Sequence, residues 1–161
     1  MRIANYIQDS IVDGKGLRFA LFTQGCPHHC PGCHNPQTHD FDGGKEISVE
    51  ELVDIILQNP LTDGVTFTGG EPFAQAADCA AIARAVREKG LNVWAYSGWT
   101  FEQLLSGTPE QREFLELCDV LIDGPFVLAQ RSLTLKWRGS RNQRVLDVPR
   151  SLAEGRAIEL N

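Results

Sequence analysis

Three of this chain's five cysteines stand together. Cys26, Cys30 and Cys33 lie in Gln24-Gly25-Cys26-Pro27-His28-His29-Cys30-Pro31-Gly32-Cys33-His34-Asn35-Pro36, a Cys-x3-Cys-x2-Cys triplet in a Pro- and Gly-rich loop. Three thiolates so spaced can wrap one 4Fe-4S cluster and leave one iron without a protein ligand, able to bind and reduce something. The alternative is zinc, with His28, His29, His34 or His39 completing a site of three cysteines and one histidine. Proximity does not choose between them.

A second run bears on that choice. Thr66-Phe67-Thr68-Gly69-Gly70-Glu71-Pro72 sets two glycines and a carboxylate just past an apolar stretch. Glycine lets backbone approach a ligand with no Cβ in the way, and a carboxylate beside it can accept from an ammonium group. Alone, Gly-Gly-Glu is more often only a turn. Paired with the upstream triplet it weighs towards the cluster.

The elements that must position these residues alternate along the chain. Residues 17–23 read as a strand running straight into the cysteine loop. Ser48 opens a capping box with Glu51 on a helix whose apolar face is Val49, Leu52, Val53 and Ile56, ended by Asn59-Pro60. Residues 65–68 form the next strand. A helix over about 74–89 follows, with Cys79, Ile82, Ala83 and Val86 on one side and Gly90 as its stop. Residues 91–96 are a strand. Thr100 with Gln103 and Thr108 with Gln111 then cap two short helices, and residues 119–123 are a further strand. Such alternation predicts an α/β fold with a mostly parallel sheet and right-handed crossovers. The 161 residues make one domain, 1–161, too short for an eight-fold barrel of about 250 residues. The expectation is a partial, open (β/α) barrel with its chemistry at the carboxyl ends of the strands.

Composition narrows the class. Hydrophobic content of 42% and charged content of 22% suit a soluble globular protein, and no apolar run approaches the length of a membrane span. Residues 1–10 show no apolar signal segment, so a cytoplasmic location is expected, with no membrane or nucleic-acid partner. Five cysteines in that setting argue for metal or redox chemistry over disulfides. Charge is uneven. Residues 131–150 carry six cations against Asp147 alone, net +5 in a chain of net −6, which leaves −11 on the rest. This basic segment is expected to dock an acidic partner, to cover the barrel or to add a final strand.

The two motifs together resemble the radical S-adenosylmethionine superfamily. The flanks narrow the likeness: Asp9-Ser-Ile-Val-Asp13-Gly14-x-Gly16-x-Arg18, Gly25-Cys26-Pro-His-His-Cys30-Pro31-Gly32-Cys33-His34-Asn35-Pro36, Asp123-Gly-Pro-Phe126 and Trp137-Arg138-Gly139-Ser140-x-Asn142-Gln143-Arg144. Over residues of about 5 to 148 they resemble a family of glycyl-radical activating enzymes, the activating proteins of anaerobic ribonucleoside-triphosphate reductase. The resemblance implies a barrel of radical S-adenosylmethionine type, one 4Fe-4S cluster on Cys26, Cys30 and Cys33, and S-adenosylmethionine as the second cofactor. It implies that Gly32, Cys33 and His34 border the adenine and sulfonium, and that Gly69, Gly70 and Glu71 hold the methionyl end. Ser97 and Asp123, at later strand ends, are placed by position as ribose contacts. No catalytic residue is expected beyond the cluster and cofactor.

The reaction implied is reductive cleavage of S-adenosylmethionine to methionine and a 5′-deoxyadenosyl radical. That radical takes a hydrogen atom from a glycine near the carboxyl terminus of the large reductase subunit. The electron comes from a low-potential donor such as flavodoxin or ferredoxin. Two departures stand out. Gly32 occupies a position where an aromatic residue often precedes the third cysteine, and Pro125 stands where related activating enzymes carry lysine. An activating enzyme for another glycyl-radical enzyme, such as pyruvate formate-lyase, is the nearer alternative; a zinc-stabilised, non-catalytic adaptor is the more distant one. Cys79 and Cys118 read as packed core thiols, Trp94 as core, and His28 and His29 as solvated loop residues.

Overall fold

The computed structural model describes residues 1–161. Its centre is four parallel strands: β2 (Arg18–Thr23) pairs with β4 (Gly64–Gly69), β4 with β5 (Asn92–Tyr96), and β5 with β6 (Val120–Asp123). Antiparallel strands flank this centre. β1 (Arg2–Ser10) pairs with β2, the two-residue β3 (Lys45–Glu46) extends that edge, and β7 (Arg144–Asp147) pairs with β6. The order is β3-β1-β2-β4-β5-β6-β7, and the two end strands do not meet.

β1 is absent from the sequence expectation, for a physical reason. Of its nine residues only Ile3 and Ser10 are buried, and its register with β2 shifts twice. A strand that buries so little carries no clean period of two. β7 lies in the basic segment and decides one of that segment's three roles: it supplies a final strand.

The helices are α1 (Val49–Leu57), α2 (Ala76–Glu88), α3 (Phe101–Leu105), α4 (Pro109–Leu117) and α5 (Val148–Glu154). Both threonine capping boxes form, with Thr100 and Thr108 accepting from Gln103 and Gln111 backbone and the glutamine side chains reaching back. At α1 only half forms: Ser48 accepts from the Glu51 amide at 3.1 Å. On α2, Cys79, Ile82, Ala83 and Val86 are fully buried. Cys118 is also buried, and both thiols are pushed up by burial, as packed cysteines are.

Strand periodicity divides the interior. Phe19, Leu21, Val65, Phe67, Val93, Ala95 and Leu121 face the helices in one large cluster. Trp94, Val120 and Ile122 face the other way, with Tyr96, Trp137 and Val145 packed against them. Arg18 lies at the start of β2 and stacks on Trp94 at 5.1 Å.

Candidate active site

A cavity of about 460 Å³ opens at the carboxyl ends of the parallel strands. Each strand end contributes to its wall: Cys26, Cys30 and Cys33 after β2, Gly69 and Gly70 after β4, Ser97 and Gly98 after β5, Gly124 and Phe126 after β6. Trp137, Arg138, Gly139 and Gln143 from the basic segment complete it. That segment therefore covers the site as well as supplying a strand.

The cysteine loop is held by backbone. Gly25 and Cys26 amides donate to Thr38 and His39 carbonyls at 2.7 and 3.1 Å, and the Cys33 amide to the Cys30 carbonyl at 3.1 Å. Gly32 sits in that turn at φ +74°, exposed and off the cavity wall; a Cβ there would meet Leu128 at 2.8 Å. Its role in this structure is to make the turn between two cysteines. The Asn35 amide points at the Cys33 sulfur at 3.4 Å, a donor that would stabilise a thiolate. Burial pushes the Cys26 thiol up, so a bound metal must draw off its proton.

All three thiols line one cavity, and cysteine thiolates are the donor set of an iron–sulfur cluster.

The Gly-Gly-Glu loop abuts the cysteine loop directly. Gly70 and Glu71 amides donate to Thr23 and Gly25 carbonyls at 2.8 and 2.9 Å. A Cβ on Gly70 would stand 2.5 Å from the Gly25 oxygen, and Gly69 is at φ +93° with its Cβ position 2.7 Å from β2 backbone. Only glycines let the two loops share one wall.

Glu71 departs from expectation. Its side chain is fully buried behind the wall, and its carboxylate is spent on protein donors. Oε1 accepts from His28 Nε2 at 2.6 Å, Ser97 Oγ at 2.9 Å and the Gly98 amide at 2.8 Å; Oε2 accepts from the Phe73 amide at 3.0 Å. The side chain is off the cavity wall, where an ammonium group would approach. Ser97 reaches the wall, but its hydroxyl turns to Glu71 and accepts from the Trp99 amide at 3.0 Å. Asp123 stands apart from the cavity wall. It is 1% exposed and accepts from the Phe101 amide at 2.7 Å and from Arg144 at 2.5 and 3.0 Å. A buried carboxylate so paired anchors the basic segment to β6. His34 does line the cavity, its ring tilted over Phe126 at 5.2 Å.

Comparison with known proteins adds the family. A model described as a 4Fe-4S single cluster domain matches residues 12–146. Anaerobic ribonucleoside-triphosphate reductase-activating proteins of Salmonella typhimurium and Escherichia coli K12 are 32% identical over 151 and 153 residues, covering 89% of this chain and 96% of their own. The chain belongs to that family of activating proteins. A member from phage T4 is 32% identical over 143 residues, 83% of this chain and 86% of its own. In fold the chain is similar to QueE from Escherichia coli, with a TM-score of 0.50 and 21% identity, over 62% of this chain and 52% of that one.

Sequence reasoning missed two features of this activating-protein site. His28 was expected in solvent; its side chain is 15% exposed, lines the cavity and bonds Glu71. Nothing in the spacing signalled this, because the partner is 43 residues away. Arg138 and Gln143 also reach the cavity wall. Their place in the Arg-Gly-Ser-x-Asn-Gln block was the available signal. Gln143 accepts from the Gly139 and Ser140 amides at 2.9 and 3.1 Å and donates to the Gly124 carbonyl at 3.1 Å, folding the block onto the end of β6.

Proposed function

We propose that this protein is an enzyme that activates anaerobic ribonucleotide reductase by installing a glycyl radical on its large subunit. The observation that carries this reading is the convergence, in a member of the activating-protein family, of three thiols and a Gly-Gly loop on one cavity at the strand ends. When bound, a single 4Fe-4S cluster and S-adenosylmethionine supply the low-potential electron and the primary carbon radical that takes the glycine hydrogen. Cys26, Cys30 and Cys33 hold the cluster. Gly69 and Gly70 would let backbone close on the methionyl end, and the rings of His34 and Phe126, both on the cavity wall, would border the adenine.

The remaining task of the chain is positional. An unselective radical demands that the target Cα–H be held in contact and water kept out. A short, partly open barrel suits a peptide loop from a large partner, whose arrival closes the cavity. The basic segment on the cavity wall suits docking of such a partner. A flavodoxin- or ferredoxin-like donor and a cytoplasmic location complete the reading.

The test is anaerobic incubation of reconstituted protein with S-adenosylmethionine, a reductant and the reductase large subunit, followed by electron paramagnetic resonance. A glycyl doublet is expected from wild type, with about four irons and four sulfides bound, and none from Cys30→Ala. A colourless protein holding one zinc, or a fully loaded protein that gives no doublet, would overturn the reading.

A further inference from the structure

The sheet order β2-β4-β5 sets Glu71 in the middle of three neighbouring loops. On one side lies the cysteine loop with His28, and on the other Ser97 and Gly98. All three loops meet on one carboxylate. His28, Ser97 and Gly98 converge on Oε1 at 2.6, 2.9 and 2.8 Å, and Phe73 holds Oε2 at 3.0 Å. His28 Nε2 and Glu71 Oε1 share one proton in that short bond. His28 is the one member of the set that also belongs to the cysteine loop, midway between Cys26 and Cys30. Its ring packs against Trp99 edge-on at 4.8 Å, and Gly98 lies against it, where a Cβ would come 2.4 Å from the ring. The imidazole is thus fixed on three sides, with one edge on the cavity wall.

We propose that His28 is a positioning residue: through its bond to the buried Glu71 carboxylate it locks the cysteine loop in register with the Gly69–Gly70 and Ser97–Gly98 loops, setting where a cofactor bound by all three must sit. The proposal rests on the function given above. It assigns Glu71 to a clasp behind the cavity, and it assigns the cofactor-facing surface of that region to His28 and the glycine backbone. The physical logic is that of partners that orient metal ligands from behind. Three donors share Oε1, so losing one loosens the others. Without His28 the cysteine loop loses its side-chain tie to Glu71, and the Ser97 and Gly98 bonds to the same oxygen loosen.

The test uses the full chain, cluster-free and anaerobically reconstituted. Three quantities are read: equilibrium affinity for S-adenosylmethionine, the resonance spectrum of the reduced cluster before and after cofactor addition, and exchange of the Gly98 and Phe73 amide hydrogens in the cluster-free protein. His28→Ala is expected to weaken S-adenosylmethionine about tenfold, to alter the spectral change on cofactor addition, and to speed Gly98 exchange. His28→Gln, which restores a donor towards Glu71, is expected to recover most of each effect. If His28→Ala does not accumulate folded, His28→Phe keeps the ring against Trp99 without the donor and carries the same expectation. Wild-type affinity and wild-type Gly98 exchange in His28→Ala overturn the proposal. So does a tenfold loss that His28→Gln fails to rescue and that is matched by an equal fall in melting temperature. If wild type itself binds no S-adenosylmethionine, the functional reading fails. The exchange rates then still decide whether His28 holds the loops together.

Discussion

Arg18 is fully buried, and no carboxylate lies within ion-pair distance of it. Its guanidinium is satisfied by oxygens instead: Thr66 Oγ1 at 2.6 Å, the Lys15 carbonyl at 2.8 Å and the Val65 carbonyl at 3.0 Å. Burial lowers it to about 10, yet the cation persists because a planar fork serves three acceptors at once. Thr66 in turn donates to the Asp13 carbonyl at 2.7 Å, so Arg18 ties the loop after β1 to the inside of the sheet. This accounts for the spacing Asp13-Gly14-x-Gly16-x-Arg18. A Cβ on Gly14 would stand 2.9 Å from the Arg18 side chain and from Trp94, and one on Gly16 would stand 2.7 Å from Asp63. Arg18→Ala should cost about 3 kcal/mol, combining a cavity with unpaired carbonyls, and urea unfolding would show it as a lower midpoint. Arg18→Lys should recover less than half, since an ammonium cannot span the same three oxygens.

At the scale of elements, the site is made by loops that need contact without side chains. Gly70→Ala places a methyl against the Gly25 carbonyl, a backbone atom with nowhere to retreat. It should cost about 1–3 kcal/mol and, more tellingly, abolish S-adenosylmethionine binding in protein that still loads iron. Gly90→Ala is the contrasting case. Gly90 ends α2 at φ +86° with nothing within 4 Å of its Cβ position. The substitution should cost about 1 kcal/mol from the left-handed backbone alone and leave cofactor affinity unchanged. Calorimetric binding on both variants separates a loop that must close from a turn that must merely bend. The helices were legible from their caps, because a threonine and a glutamine three residues on act within one turn. β1 was not, because its pairing depends on β2 and its own burial is slight.

For the whole molecule, the distribution of charge outweighs its total. Arg131, Lys136, Arg138, Arg141 and Arg150 make no ion pair, while Arg144 is consumed internally by Asp123 and Glu102. Its guanidinium is pushed up, chiefly by the hydrogen bond to Asp123, which marks it as a fixture of the fold. Five unpaired cations therefore crowd into the segment that walls the cavity, in a protein whose net charge is −6. Such a field steers an acidic partner towards the open end of the site. The double variant Arg131→Glu, Arg141→Glu should slow association with the reductase large subunit about tenfold at low salt, and the difference should shrink by 0.5 M salt as screening shortens to about 4 Å. Lys89→Glu, at the far end of α2, should leave the rate unchanged. Stopped-flow association at two ionic strengths measures all three.

By itself the sequence determined the candidate chemistry and the order of the central strands and most helices. Cysteine spacing, the Gly-Gly-Glu run and the caps are local patterns, set by atoms a few residues apart, and they place the strands and the cluster loop in line. The same residues could not declare their partners. Glu71 reads as a free acceptor and is in fact enclosed by donors from four positions; Asp123 reads as a ribose contact and is an anchor for Arg144; His28 reads as solvated and closes on Glu71. Those outcomes follow from which strand lies beside which. Only the folded sheet brings together groups that lie tens of residues apart in the chain, and a buried charge takes its role from whatever donors it meets there.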